Sequence, residues 1–159
     1  MSRLPALGPR GEGWVLVQGI LFVLIAAAGF SVGGAWAREP RTVTTIVAGF
    51  LMVAGAWLAV SGAVELREGF TPLPRPRNGA RLVETGAYRL VRHPVYGGIV
   101  MGALGWGLFT ASPISIGLAL VLLAFFRLKS AREEAWLAEV YPGYEAYRSR
   151  TRRLIPFIY

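Results

Sequence analysis

The chain has 159 residues, of which 54% are hydrophobic and only 16% are charged, and this balance is too apolar for an ordinary soluble domain. The lack of cysteine excludes disulfides and thiolate metal sites within the chain, and the single histidine, His93, argues against a histidine-rich metal centre. The net charge of +8 comes without a nucleic-acid recognition motif, so it indicates a membrane surface as the partner and not nucleic acid.

The N-terminal half predicts two membrane spans. Residues 1–13 form a short lead with several prolines and glycines, which we expect to be flexible. Residues 14–37 carry no charge and meet the requirement of about 20 apolar residues for a transmembrane helix, whereas a secretory signal has an apolar core of about 7–15 residues. Residues 43–64 form a second uncharged span, and the charged, proline-containing residues 65–93 predict a long cytoplasmic connection.

Residues 95–126 also contain no charge, but they are longer than one membrane-crossing helix needs to be. Ser112-Pro113 predicts a turn that divides them into spans over residues 95–110 and 114–126, which would form a helical hairpin. A single helix bent at this proline is the alternative. Small residues on one side of the first of these helices would permit close packing on a neighbour. They are Gly98, Gly102 and Gly105.

Residues 127–159 are polar but favour helix, so we expect the fourth helix to continue out of the bilayer and a short helix to follow. The predicted fold class is an all-α integral membrane protein, a single domain with four transmembrane helices and a cytoplasmic C-terminal helical extension. The lead, the connection at residues 65–93 and the C-terminal region hold fifteen of the seventeen Lys and Arg residues. By the positive-inside rule these parts, including both termini, face the cytoplasm, and we expect the protein in the cell (inner) membrane.

A candidate site lies where the polar connection gives way to the third span, at Arg92-His93-Pro94-Val95-Tyr96. Pro94 suits the first turn of a helix and disfavours helical geometry at His93. The histidine is therefore predicted at the mouth of this helix with its ring free to bind. In the alternative interpretation, Arg92 and His93 anchor the helix at the membrane interface and Tyr96 belongs to an aromatic belt.

A second cluster, Glu133-Glu134, is acidic within a strongly basic region and follows the fourth span closely. Lys129, Glu133 and Leu137 share one helical face because of their spacing of four residues. Alternatively, Glu133 could pair with Lys129 or Arg132 on a solvated surface, which would explain the charges without a functional site.

Three segments together resemble one group of membrane enzymes. They are LVETGAYRLVRHPVYG at residues 82–97, the Glu133-Glu134 pair followed by Leu137, and a C-terminal pattern with YEAY at residues 144–147 and LIPFI at residues 154–158. The combination resembles the isoprenylcysteine carboxyl methyltransferase and phospholipid methyltransferase group of integral membrane enzymes. The Arg-His-Pro-x-Tyr core alone is shared with membrane sterol reductases, so the combination carries the resemblance.

The resemblance implies an S-adenosylmethionine-dependent methyltransferase whose cofactor pocket lies at the cytoplasmic membrane boundary. Acids near the pocket would suit the sulfonium and amino cations of the cofactor, and aromatic faces would also favour the sulfonium. The implied cofactor-binding residues are Leu82, Val83, Tyr88, His93, Pro94, Tyr96, Glu133 and Glu134. The carboxyl methyltransferases carry an arginine one helical turn before the acidic pair for the substrate carboxylate, and this chain has Lys129 at that position. The basic residues assigned to the reaction are Arg92, Lys129 and Arg132.

The implied reaction is in-line methyl transfer to a lipophilic acceptor that enters from the bilayer. A carboxylate acceptor is already ionised at pH 7, whereas an amine must first lose a proton, so the scarcity of acid-base residues slightly favours a carboxylate. Two other functions stay open: a nicotinamide-dependent membrane reductase of the sterol-reductase type, and a non-catalytic protein that binds anionic lipid. The sequence predicts neither the identity of the acceptor nor the oligomeric state.

Overall fold

The computed structural model describes residues 5, 7–34, 41–69, 71–74 and 81–155. Within this part of the chain all regular structure is helical, which confirms the predicted all-α class. The helices are α1 (Glu12–Ser31), α2 (Arg41–Leu66), α3 (Pro94–Phe109), α4 (Pro113–Val140) and α5 (Tyr144–Arg150), and two short 3-10 turns cover Arg67–Gly69 and Gly86–Arg89.

Three of these helices, α1, α2 and α4, are long and apolar enough to cross a membrane, and α3 is a shorter apolar helix of 16 residues. The chain is therefore an integral membrane protein by the length and composition of its helices. The predicted spans 14–37, 43–64 and 95–110 overlap α1, α2 and α3, although the last three residues of the first span lie outside the described residues. The predicted span 114–126 forms the first half of α4, and the helix continues without a break to Val140, which confirms the predicted helical extension beyond this span.

The turn between α3 and α4 makes them separate helices, so the single bent helix is not formed. Ser112 lies outside α4 in an extended conformation, and its Oγ accepts a hydrogen bond from the backbone N of Ser115 at 3.2 Å. The same hydroxyl donates to the carbonyl oxygen of Ala28 in α1 at 3.0 Å. Because the first amides of a helix lack partners inside it, this serine both caps α4 and attaches its start to α1.

Glycines bring α2 and α3 together in the most extensive helix pair of the described structure. A Cβ atom on Gly55 of α2 would lie 2.5 Å from the carbonyl oxygen of Gly98, and one on Gly105 would lie 2.8 Å from that of Ala48. Gly98 and Gly105 thus pack closely as predicted, and the backbone N of Gly102 would lie 2.9 Å from the same Cβ on Gly55, although a side chain on Gly102 itself would meet open space. This contact places the N-terminus of α3 beside the end of α2.

The residues just before α3 are also tied to the C-terminal segment. Val91 forms an isolated parallel bridge with Arg152, and the backbone amides of Arg92 and His93 donate to the carbonyl oxygens of Arg152 and Arg153 at 2.8 and 3.0 Å. The start of α3 is therefore held from two sides, by α2 and by the last described residues.

Candidate active site

A cavity of about 620 Å³ lies between the end of α2, the start of α3 and the second half of α4. This volume falls within the range of roughly 300–1,000 Å³ that small-molecule sites occupy. Its lining combines polar, aromatic and aliphatic side chains. They are Gln18, Glu65, Leu66, Arg67, Gly69, Thr71, Pro72, Arg81, Leu82, Val83, Tyr88, Arg92, His93, Val95, Tyr96, Ile99, Lys129, Glu133, Leu137, Tyr141, Tyr144 and Tyr147.

His93 lies at this cavity between two carboxylates. Its backbone is non-helical and Pro94 occupies the first position of α3, as predicted. Its Nε2 is 3.2 Å from Oε1 of Glu134, and its Nδ1 is 3.8 Å from Oε2 of Glu133. Because an ionised carboxylate only accepts hydrogen bonds, Nε2 carries the proton in the contact with Glu134. The ring is therefore held in place, in contrast to the free ring that the sequence predicted.

Glu134 is the centre of a buried cluster of charges behind His93. Its side chain is only 4% exposed, and Oε1 also accepts a hydrogen bond from Nε of Arg92 at 2.9 Å. Oε2 accepts from Nη2 of Arg153 at 3.1 Å and lies 3.7 Å from Nε of Arg148. A carboxylate with this many cationic partners is compensated for the loss of water, and it fixes the position of each partner.

Glu133, the neighbouring acid, instead forms part of the cavity wall. Its Oε2 accepts a hydrogen bond from the hydroxyl of Tyr96 at 2.8 Å, and its side chain remains 23% exposed. The Tyr96 ring is stacked between those of His93 and Phe126, with ring centroids 5.4 and 4.5 Å apart. This stack fixes the phenol and, through it, the carboxylate of Glu133.

A second, aromatic wall of the cavity is formed by three buried tyrosines, Tyr88, Tyr144 and Tyr147. The hydroxyl of Tyr147 donates to the carbonyl oxygen of Tyr88 at 2.8 Å, which joins α5 to the turn before α3. Burial raises the pKa of each of these phenols well above its ordinary value, so all three are neutral at pH 7. The hydroxyl of Tyr144 has no hydrogen-bond partner among the described residues, although this side chain is only 1% exposed.

Lys129 carries a buried positive charge on the wall formed by α4. Its Nζ donates to Oε1 of Gln18 in α1 at 2.6 Å and to the carbonyl oxygen of Pro72 at 2.9 Å. The same Nζ lies 5.1 Å from the centroid of the Tyr96 ring. Lys129 therefore connects α4 to α1 and to the segment that follows α2.

Most of the residues singled out in the sequence meet at this cavity. Those on its wall are Leu82, Val83, Tyr88, Arg92, His93, Tyr96, Lys129 and Glu133. Three others lie off the wall. Pro94 packs against Gly62 of α2, Glu134 lies behind His93, and the guanidinium of Arg132 lies 4.3 Å from the centroid of the Trp136 ring. The functional roles given to all of these residues stay predictions.

Sequence reasoning missed Gln18 and Glu65. Gln18 is an isolated amide within an apolar span, and a polar side chain inside a membrane helix is a signal for a functional site. Glu65 is the first charged residue after the second span, and its Oε2 accepts a hydrogen bond from Oγ1 of Thr85 at 2.9 Å. Gly86 beside it has a φ of 54°, and a side chain there would collide with the Glu65 carboxylate.

The fold and the site together define a helical membrane protein with a polar and aromatic cavity beside the start of an apolar helix. Comparison with known families makes the identification more specific, because the family model described as phospholipid methyltransferase matches residues 43–143. The chain therefore belongs to the phospholipid methyltransferase family, as the resemblance predicted.

Individual relatives include protein-S-isoprenylcysteine O-methyltransferases. The protein of that name from Schizosaccharomyces pombe is 36% identical over 118 residues, which cover 72% of this chain and 50% of the relative. A probable enzyme of the same name from Oryza sativa subsp. indica is 35% identical over 80 residues, 49% of this chain and 42% of the relative. The cobalt-zinc-cadmium resistance protein CzcN of Cupriavidus metallidurans is 33% identical over 81 residues, 50% of this chain and 38% of the relative. The chain spans about half the length of the curated relatives it matches.

Proposed function

We propose that the protein is an S-adenosylmethionine-dependent methyltransferase that methylates a lipophilic acceptor, either an isoprenoid-type carboxylate or a lipid, at the cytoplasmic face of the membrane. The observation that carries the proposal is the position of Glu133, a partly exposed carboxylate on a cavity wall whose other side is formed by neutral tyrosines. Carboxylates and aromatic faces both favour a sulfonium cation.

Other features of the cavity fit this cofactor. Arg67 and Arg81 on the lining suit its carboxylate, and the unpartnered hydroxyl of Tyr144 suits one of its polar groups. When bound, the cofactor supplies an electrophilic methyl group, which the acceptor takes as the bond from carbon to sulfur breaks. Glu133 and Tyr96 orient the cationic part, and the tyrosine wall limits access of water.

The chain's own residues support positioning more than acid-base catalysis. Both ring nitrogens of His93 face carboxylates, and Glu134 is engaged by this histidine and by Arg92, Arg148 and Arg153. Glu134 is therefore already occupied by its cationic partners, and an acceptor that is ionised without a proton transfer, such as a carboxylate, suits the site. The names of the isoprenylcysteine methyltransferases agree with this class.

An apolar groove beside the cavity could hold the lipophilic tail of an acceptor. This groove of about 470 Å³ between α1, α3 and α4 is lined by aliphatic, small and aromatic side chains. Ile99 lies on the lining of both the groove and the cavity. An acceptor could therefore keep its tail among the membrane helices while its head group enters the cavity. We also propose that the chain crosses the inner membrane four times, with both termini on the cytoplasmic side.

Isothermal titration of the purified protein with S-adenosylmethionine tests the proposed cofactor. We expect saturable binding by the wild type and strongly weakened binding by a double variant, His93→Ala with Glu133→Ala. Glu139→Ala is the matched control, because Glu139 is an exposed acid on the same helix away from the cavity. A wild type that binds a nicotinamide dinucleotide but not S-adenosylmethionine would favour the reductase instead. Incubation with lipid extract and radiolabelled cofactor would then identify the acceptor.

A further inference from the structure

Glu65, near the end of α2, places a carboxylate on the cavity lining in addition to that of Glu133. Its side chain is half-buried, and its Oε2 accepts a hydrogen bond from the neutral hydroxyl of Thr85 at 2.9 Å. Within the described part of the chain no ion pair joins Glu65 to a basic side chain. Because a carboxylate that leaves water is stabilised by a charged donor, this acid is suited to bind a cation from the cavity.

The segment before α3 fixes the position of this carboxylate. Thr85 donates to Oε2, and the following residue, Gly86, packs directly against the same side chain. Gly86 has a φ of 54°, and a Cβ atom there would collide with Oε1 of Glu65. A larger residue would therefore be strained and would displace the acid. Thr85 and Gly86 thus hold Glu65 at the cavity without neutralising its charge.

Glu65 and Glu133 belong to different helices, α2 and α4, but both lie near the phenol of Tyr88. Burial contributes most to the raised pKa of Tyr88, and interactions with Glu133, Tyr147 and Glu65 raise this pKa further. S-adenosylmethionine likewise carries two cations, a sulfonium and an α-ammonium, which a short aliphatic chain separates. A cavity with two carboxylates therefore matches the charges of this cofactor.

The neighbours of the two acids differ, and this difference assigns one cation to each. The α-ammonium and the carboxylate of the cofactor are attached to the same carbon, so the groups that bind them must also be adjacent. Glu65 and Arg67 both line the cavity at the end of α2. Glu133 instead accepts from Tyr96, whose ring stacks on that of His93. Aromatic surroundings suit the sulfonium, which has no N–H or O–H group to donate.

We propose that Glu65 is a cofactor-binding residue that accepts hydrogen bonds from the α-ammonium of S-adenosylmethionine, while Glu133 faces the sulfonium. This assignment rests on the proposed methyltransferase function. It places the amino end of the cofactor at the end of α2, where Arg67 faces the carboxylate on the same carbon. The site then recognises the amino group of a ligand independently of the charge at its sulfur.

The test uses S-adenosylhomocysteine, which has the α-ammonium but a neutral sulfur, and an analogue of it that lacks only the amino group. Affinities of both, and of S-adenosylmethionine, are measured by isothermal titration of the whole chain in detergent. We expect the wild type to prefer the amino ligand by about tenfold or more, as a charge-assisted hydrogen bond would produce. Glu65→Gln should abolish this preference, because the amide keeps the shape and an acceptor for Thr85 but carries no charge.

Two further variants separate this role from that of other acids. Glu84→Gln is the matched control, because Glu84 precedes Thr85, pairs with Arg150 and does not line the cavity. It should bind all three ligands within about threefold of the wild type. Glu133→Gln should keep the preference for the amino ligand but weaken S-adenosylmethionine relative to S-adenosylhomocysteine by about tenfold.

A wild type without the preference, or a Glu65→Gln variant that retains it, would overturn the inference while leaving cofactor binding intact. An equal loss of affinity for the amino ligand and its analogue in Glu65→Gln would also overturn it, because Glu65 would then only support the structure. If the wild type binds neither S-adenosylmethionine nor S-adenosylhomocysteine, the proposed function itself fails.

Discussion

Glu133 and Glu134 are consecutive residues of one helix, yet the structure uses them in two different environments. Glu134 is buried among Arg92, His93 and Arg153, and its charge is fully engaged in holding them. Glu133 touches the hydroxyl of Tyr96 and remains partly exposed on the cavity wall. The two adjacent acids therefore differ in their environment: Glu134 holds the side chains around it in place, whereas Glu133 is accessible to a ligand in the cavity.

The largest effect should come from removing the supporting acid. Glu134→Ala would leave two arginines in a largely buried cluster without their carboxylate, and breaking such an arrangement costs about 3–5 kcal/mol of stability. We expect a large drop in the thermal unfolding midpoint in detergent, together with loss of S-adenosylmethionine binding. A midpoint as high as that of Glu139→Ala would show that the cluster does not support the fold.

Replacement of the partly exposed Glu133 should weaken cofactor binding while leaving the stability of the protein nearly unchanged. Glu133→Gln keeps the shape and an oxygen that can accept from Tyr96, but it removes the charge that would face a sulfonium. We expect the affinity for S-adenosylmethionine to fall by about tenfold or more, with a change in unfolding free energy below about 1 kcal/mol. Calorimetric titration and thermal unfolding of the same preparation check both values. Equal losses of stability in the Glu133 and Glu134 variants would show that the two acids contribute equally to the fold.

A smaller effect is expected at Tyr96, which orients Glu133. Tyr96→Phe removes the hydrogen bond to the carboxylate but retains the ring between His93 and Phe126. Loss of one such bond costs about 1 kcal/mol, so the cofactor should bind roughly fivefold more weakly. Titration measures this change, and Tyr141→Phe at another position of the cavity lining provides a comparison. An unchanged affinity would mean that Glu133 does not depend on this phenol.

The smallest effect is expected at Arg132, which lies next to Glu133 in sequence but contacts Trp136 and is not part of the cavity wall. The sequence assigns it a role beside the substrate, whereas its location predicts that Arg132→Gln changes cofactor affinity by less than about twofold. Titration and methyl transfer to a prenylcysteine carboxylate measure the outcome. A selective loss of transfer would restore the role that the sequence assigns to this arginine.

The sequence by itself determined the helical framework and much of the cavity's composition. An uncharged segment long enough to span a bilayer must satisfy its own backbone hydrogen bonds, so the uncharged segments predicted the helices. Pro94 and Ser112-Pro113 correctly predicted where α3 and α4 begin. The four-residue spacing of Lys129, Glu133 and Leu137 placed them on one face, and all three line the cavity. Local periodicity and turn chemistry are properties of short segments, which is why they could be read directly.

Only the tertiary structure decided which residues each helical face contacts. Glu134 lies about 100° around the helix from Glu133, and nothing local to it indicates Arg92, 42 residues earlier, or Arg153, 19 residues later, as its partner. Lys129 and Gln18 are 111 residues apart, and their contact depends on how α1 packs against α4. Helix packing brings such distant residues together, so the sequence identified the acidic pair and the structure placed Glu134 in the buried cluster and Glu133 on the cavity wall.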